Sequence, residues 1–284
     1  MRNVLLLLLA VVSLTAWNCK DEEIVPTPAA TELKKDSTAA TSKTESESDS
    51  LKNISDSTAL PGGSSLDFAD SAYYQHAKYS SMPYRVMVPA KFDKNKKYPL
   101  VVFLHGIDER GFDNEKQLRW GASLFQADST RAKHPSFVIF PQCPPDYRWP
   151  DEFPMETLKN LITDFASTNN VDRRRIYLVG MSMGAYGTYE MVARNPDMFA
   201  AAIAISGDGD LTRSNRMAKV QWKIYAGKKD DIVTSDKSEK MAHALKSSGA
   251  SVSLKIYPDA NHVGSWVKAF AEPDFCSWLY SVSK

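Results

Sequence analysis

From Tyr84 onward, the chain alternates two patterns of apolar residues. Short, nearly continuous apolar runs at Tyr84–Val88, Pro99–Leu104, Phe137–Phe140, Arg175–Val179, Ala201–Ile205, Val220–Ala226 and Ser251–Tyr257 predict strands. Between them, apolar residues recur every three or four positions, which predicts helices at Glu115–Gln126, Met155–Thr168, Met183–Arg194, Asp236–Ser248 and Ser265–Val282. Asp236 with Glu239 suits a capping box, and Gly249 suits a helix C-terminus. Strands that are apolar along their whole length are buried on both faces. With helices interleaved, they predict an α/β fold: a mostly parallel sheet covered by helices on both sides. No long insertion separates the predicted elements, so little or no lid is expected over a site at the strand ends.

The first third of the chain breaks this alternation. Arg2 and the apolar run Val4–Leu14 form a segment too short to span a bilayer comfortably, which is the pattern of an export signal. Cys19 follows, then Lys20-Asp21-Glu22-Glu23. This resembles a bacterial lipoprotein signal, with residues 1–18 removed and Cys19 lipidated, although Ala16-Trp17-Asn18 is a poor match to the usual small residues. Ordinary signal-peptide cleavage, giving a periplasmic or secreted soluble protein, is the alternative. Asn18 to Asp67 contains no Phe, Tyr or Trp and is dominated by Ser, Thr, Lys, Glu and Ala. Such a segment buries too little apolar surface to offset its ordering entropy. Residues 19–67 are therefore expected to be a disordered tether. It would hold a folded domain at residues 68–284 off the outer membrane or cell surface.

Composition narrows the remaining choices. The 284 residues are 43% apolar, ample for a core, and the net charge is +1. That balance argues against a nucleic-acid partner, which would need a strongly basic domain. No CxxC pair, HExxH or nucleotide-binding Gly-rich loop is present, so neither metal nor cofactor is expected. Cys143 and Cys276 remain after Cys19. Export would permit a disulfide, but two buried thiols are the simpler reading.

The sharpest local signal is Gly180-Met181-Ser182-Met183-Gly184, between the predicted strand ending at Val179 and the predicted helix at Met183. A strand, a tight turn and a helix put Ser182 in a strained, exposed position above a helix N-terminus, where a nucleophile is favoured. The bland alternative is a Gly-rich turn without chemistry. A Ser hydroxyl needs a base, and of the five His only His262 lies both after the Ser and on a loop following a predicted strand. His76, His134 and His243 lie elsewhere, and His105 more plausibly braces its loop. The imidazole needs a carboxylate. Asp230 and Asp231 share the loop after Val220–Ala226, and Asp230 is preferred by its Gly-x-x-Asp-x-x-Val spacing; Asp208 and Asp210 are alternatives. Backbone N–H donors for an oxyanion are expected at Met183, after the Ser, and at Ile107, in the loop His105-Gly106-Ile107.

These residues carry a resemblance. Tyr98 to Gly106, then Glu109-Arg110-Gly111 and Asp113-Asn114, with Pro141-Gln142-Cys143-Pro144 and Tyr257 to His262, resemble the bacterial phospholipase/carboxylesterase or "predicted peptidase" family. These are α/β-hydrolases related to feruloyl and acetylxylan esterases and to polyhydroxybutyrate depolymerases. The likeness runs from about Phe68 to the C-terminus. It departs at Ala185, where relatives often have a second Gly, and at Thr234, where a Pro is frequent. The resemblance implies an α/β-hydrolase fold and a serine carboxylesterase using Ser182, His262 and Asp230 without a cofactor. Its substrate would be a small-molecule or polysaccharide-linked ester. A peptidase of the same fold and a silent surface-binding module are the rival expectations. His105, Gln142, Trp149 and Trp266 are candidates for the pocket wall, and Trp120, Tyr147 and Arg148 are further candidates to line it for a sugar or aromatic ring; core and rim packing is the competing reading for the aromatics.

Overall fold

The computed structural model describes residues 73–284. The expected signal segment, Cys19 and the tether lie outside the described residues, as does the start of the catalytic domain at Phe68. The strands are β1 Gln75–Tyr79, β2 Met82–Met87, β3 Tyr98–Leu104, β4 Phe137–Pro141, β5 Val171–Met181, β6 Ala201–Ile205, β7 Gln221–Gly227 and β8 Val252–Tyr257. They form one eight-stranded sheet in the order β1-β2-β4-β3-β5-β6-β7-β8. β2 is antiparallel to both β1 and β4, and every pairing from β4 through β8 is parallel. All C-terminal ends of β3 to β8 therefore share one edge of the sheet, where ligands of open α/β sheets gather.

The helices are α1 Ala122–Gln126, α2 Asp128–Lys133, α3 Glu152–Thr168, α4 Met183–Arg194, α5 Ser235–Ser247, α6 His262–Phe270 and α7 Phe275–Ser281. The continuous apolar runs now have their reason. In β3, Leu100, Val102 and Leu104 pack into one core with α3, α4 and α5, while Val101 and Phe103 join a second core with α1, α6 and α7. A strand facing two cores has no polar side to show.

Several expectations need correction. β1 and α2 are not foreseen by the sequence reading. β1 is a mostly exposed edge strand, Gln-His-Ala-Lys-Tyr, with little apolar signal. The helix expected over Glu115–Gln126 is a 3-10 turn at Lys116–Leu118 followed by α1. Gly121 divides them at φ 78°, and a Cβ there would stand 2.5 Å from the Phe103 ring. The last helix is also two, because Pro273 lies between α6 and α7 and cannot donate to a continuing helix. Asp236 is not the cap of α5: Thr234 occupies that position, and Asp236 binds Thr234 Oγ1 and Lys240 from the first turn. Past the other end of α5, Gly249 at φ +91° does close the helix. Gly249 N–H donates to Lys246 O at 2.9 Å and Ala250 N–H to Leu245 O at 3.0 Å, the paired bonds of a Schellman ending.

Candidate active site

β5 hands its chain to α4 through Ser182, which adopts φ 50° and ψ −123°. A non-Gly residue with positive φ costs free energy and persists only where the surroundings hold it. Here both neighbours hold it. A Cβ on Gly180 would stand 2.2 Å from Gly184 O, and one on Gly184 would stand 2.0 Å from Leu104 O. Side chains at either position would push α4 off β3 or β5, so the turn stays tight only with Gly. Ser182 N–H donates to Ile205 O at 2.8 Å, which ties the turn to the end of β6. The Ala185 departure also finds its place. Gly207, after β6, leaves the space that the Ala185 methyl fills; a Cβ on Gly207 would stand 2.3 Å from it.

The loop after β7 and the first residue of α6, which follows β8, bring two more side chains to Ser182; the base expected on a loop opens a helix instead. His262 Nε2 lies 2.9 Å from Ser182 Oγ, and His262 Nδ1 lies 2.7 Å from Asp230 Oδ2. A carboxylate can only accept, so Nδ1 carries the proton and Nε2 is left to accept from the hydroxyl. Asp230 is 4% exposed, and its other oxygen accepts from Ile232 N–H at 3.0 Å and Val233 N–H at 2.9 Å. Those bonds fix the orientation of the carboxyl group. Asp231 is exposed, and its side chain takes no part in the line. Asp210 caps the 3-10 turn that follows it by accepting from Thr212 N–H, and Asp208 accepts from Gly209 N–H. Neither alternative acid reaches His262. The His262 ring packs edge-to-face with Trp266, 4.9 Å between centroids, and Trp266 in turn meets Trp120 at 5.9 Å.

Facing Ser182 is the loop after β3. Ile107 is 39% exposed, and its N–H donates to no protein acceptor among the described residues; the same holds for Met183 N–H at the start of α4. The loop is held from below. His105 is fully buried, its Nδ1 lies 2.6 Å from Gly106 O, and its Nε2 accepts from Cys143 N–H at 3.0 Å. Burial pushes the His105 imidazole down to about 4, so it stays neutral near pH 7. Gln142 accepts from Asn114 N–H at 2.8 Å and donates to Glu109 O at 3.1 Å. Arg110 reaches Pro145 O at 2.6 Å. Glu109 lies buried against Gly106, with burial raising its carboxyl above the ordinary range.

This corrects the expected pocket wall. His105, Gln142 and Trp149 have no exposed surface. Their polar atoms are spent on the backbone: Trp149 Nε1 donates to His105 O at 3.1 Å. They brace the loop rather than line a pocket. Trp266 is nearly as buried and supports His262. Further along α4, Tyr186 and Glu190 border a cleft of about 220 Å3 that Pro150, Asp208, Gly209 and Asp210 also wall; Ser182 itself does not line it. Sequence reasoning sees its two Asp only as candidate acids. It also misses Arg85, a buried guanidinium on β2 that donates to Asn114 O at 2.6 Å and ion-pairs with Glu115, fixing the far end of the same loop. A lone Arg inside an apolar strand is the signal that points to it. Cys143 and Cys276 are both free thiols.

A hydroxyl aligned with an imidazole that is itself held by a buried carboxylate is arranged to lose its proton as it attacks an electrophilic carbon. Two free N–H groups nearby suit the oxygen that becomes negative. Among the described residues there is no cluster of His, Cys, Asp and Glu able to hold a metal ion.

Comparison with known proteins agrees with this architecture. Residues 151–273 match the dienelactone hydrolase family. The chain is 30% identical to a thermostable esterase of known structure, with a TM-score of 0.72 over 75% of this chain and 64% of that one. It is 27% identical over 128 residues to poly(3-hydroxyalkanoate) depolymerase C of Paucimonas lemoignei, covering 38% of this chain and 28% of that protein. Dipeptidyl-peptidase 5 of Porphyromonas gingivalis is 26% identical over 148 residues, 48% of this chain and 21% of that protein. The chain thus spans less than a third of the length of these two curated relatives and just under two thirds of the esterase. It has the α/β-hydrolase fold, and its residues 151–273 are similar to the dienelactone hydrolase family.

Proposed function

We propose that this α/β-hydrolase is a serine carboxylic-ester hydrolase. Ser182 Oγ attacks the ester carbonyl while His262 Nε2 takes its proton. Met183 and Ile107 N–H groups receive the tetrahedral oxyanion. His262 then protonates the departing alcohol, leaving an acyl group on Ser182. Water, activated by the same imidazole, releases the acid and restores the hydroxyl. Asp230 holds the tautomer and stabilises the imidazolium that forms twice in each cycle. The observation that carries the reading is the unbroken line from Ser182 Oγ to His262 at 2.9 Å and from His262 to Asp230 at 2.7 Å, at a turn held in positive φ.

Small acyl esters or esters attached to carbohydrate are the proposed substrates. The cleft along α4 has Tyr186 and the loop Asp208-Gly209-Asp210 in its wall, which offer hydroxyl and carboxylate partners to a sugar. A panel of p-nitrophenyl acyl esters, feruloyl esters, acetylated xylan and a peptide amide tests this. Turnover of esters well above the amide, with a burst of one p-nitrophenol per chain, is the expected result. Amide turnover at ester-like rates would favour a peptidase, the activity in the name of the Porphyromonas relative. No turnover of any substrate would favour a binding module.

The N-terminal sequence supports a second element of this reading: lipidation of Cys19, which holds the enzyme at the outer membrane or cell surface. Two or more acyl chains anchor stably where one does not. Radiolabelled palmitate should enter the protein in its native host and fail to enter Cys19→Ser, which should leave the membrane fraction. Unlabelled, soluble wild-type protein would reject the anchor and leave the proposed chemistry untouched.

A further inference from the structure

The N-terminal ends of β3, β4 and β5 form a face on the opposite side of the sheet from Ser182. Arg175 and Ser182 are separated along β5 by seven residues, roughly 23 Å at the usual strand rise. Lys96 and Lys97 immediately precede β3. Lys133 and His134 end α2 just before β4. Arg175 stands on β5 at the irregularity in its pairing with β3, just before the pair Leu100 and Ile176. These five side chains, with Tyr280, surround a cavity of about 250 Å3 that no carboxylate lines among the described residues. The ring of Tyr280 stacks on His134 at 4.7 Å and is fixed by its hydroxyl to Ser136 at 2.7 Å.

The cations here are poorly neutralised. Lys97 and Lys133 are exposed and form no ion pair among the described residues. Lys96 approaches Asp93 only to 3.9 Å, while Arg175 does pair with Asp172 at 3.1 Å. Residues 91–97, 128–133 and 172–175 together hold nine Lys and Arg against three Asp, in a chain whose net charge is only +1. A second hollow adjoins the first, sharing Lys96 and adding Lys91, Arg131 and Asp128. Among these lysines Phe92 is 49% exposed, its ring backed by Tyr98 at 5.6 Å and Phe137 at 6.0 Å. β1 runs in the same direction as β4, since both are antiparallel to β2, so the chain enters the sheet at this end. Tyr73, the first described residue, lies under the Arg131 guanidinium at 4.6 Å.

A cavity ringed by cations with a rim of further cations fits phosphate groups displayed in number across a surface, rather than one free ion. An aromatic side chain propped outward among lysines fits the interfacial zone of a bilayer. We propose that this end of the sheet docks the protein on an anionic phospholipid surface. Lys97, Lys133 and Arg175 take a headgroup phosphate, and Phe92 enters the interface. The docked orientation turns Ser182 away from the lipid, toward substrates in solution. The inference stands independently of the lipidation at Cys19 and of the ester chemistry.

The test uses the full chain carrying Cys19→Ser, so that no acyl chain contributes. It is sedimented with vesicles of phosphatidylglycerol and phosphatidylcholine mixed, and with vesicles of phosphatidylcholine alone, at about 0.1 M salt. Apolar insertion is the same on both and drops out of the ratio. We expect partitioning to the mixed vesicles to exceed that to neutral ones by about a hundredfold, about fivefold for each of the three cavity cations. Each cation removed from the cavity should lower that excess about fivefold, so Lys97→Ala with Lys133→Ala should lower it about 25-fold. The thermal midpoint of the double variant, read by circular dichroism, should match the parent. Equal binding to both vesicles would overturn the proposal. So would full binding by the double variant. Release by millimolar inorganic phosphate at constant ionic strength would reassign the cavity to a free phosphate ligand and overturn the lipid surface.

Discussion

At the C-terminal ends of β5, β7 and β8 the polar groups are few, buried and individually placed. Asp230 gives one oxygen to two backbone N–H groups and the other to His262, which meets Ser182. At the N-terminal ends of β3, β4 and β5 the polar groups are many, mostly exposed and scarcely bonded. The same strands run through both ends. The difference lies in what each end must fix. Proton transfer needs a geometry good to a fraction of an ångström, so the loops there are strapped by Gln142, His105, Arg85 and Arg110. Attraction to a charged surface needs only density of charge, so the lysines are left free.

That contrast can be broken by substitution. The largest effect belongs to Ser182→Ala and His262→Ala. Each should lower kcat for p-nitrophenyl acetate by about 10⁵-fold or more, and the double variant should be little worse, because the pair acts as a unit. Near-wild-type turnover in His262→Ala would move the base elsewhere. Next comes Asp230→Asn, expected to lower kcat about 10⁴-fold through the wrong tautomer of His262. Asp231→Asn, one residue away and exposed, should change it by less than about threefold on the same ground. The reverse ranking would reassign the acid.

Stability gives the third test. Gly184→Ala puts a methyl 2.0 Å from Leu104 O. It should cost more than about 3 kcal/mol in urea unfolding, or prevent folding, since backbone rather than a flexible side chain must yield. Gly249→Ala, where nothing lies within 4 Å, should cost only the strain of positive φ, about 1 kcal/mol. The fourth test is pH. The His105 imidazole titrates at about 4 in the folded protein, below its unfolded value of 6.5. The unfolded chain therefore binds the proton first, and stability should fall as pH drops from about 6.5 toward 4, by a few kcal/mol. His105→Gln should flatten that part of the profile. An unchanged slope would show that His105 does not carry it. The smallest effect is at the other end of the sheet: Lys97→Ala should leave ester turnover within about twofold of wild type.

The site was more legible in the sequence than the walls around it. Ser182, its flanking Gly residues and the helix at Met183–Arg194 can be read together because one local constraint, a turn too tight for a Cβ, dictates them all. His262 and Asp230 follow from chain order and strand ends, and the structure brings both to Ser182. The pocket could not be read that way. His105, Gln142 and Trp149 look like pocket residues because they are polar or aromatic near the site. They are buried because the loop after β3 needs its backbone groups bonded from below, which depends on the distant segment Pro141-Gln142-Cys143-Pro144. Helix breaks were missed for the same reason. Gly121 is forced by the Phe103 ring on another element, and no periodicity within Glu115–Gln126 reveals it. The basic face stayed hidden because its charges come from three separated segments and cancel in the net charge.

The most direct test of the central claim is reaction with a fluorophosphonate followed by mass spectrometry of the intact and digested protein. The proposed mechanism predicts one adduct per chain, on the peptide containing Ser182, formed within minutes at neutral pH and absent in His262→Ala and Ser182→Ala. An unlabelled wild-type protein, or an adduct on another residue that persists in Ser182→Ala, would contradict it.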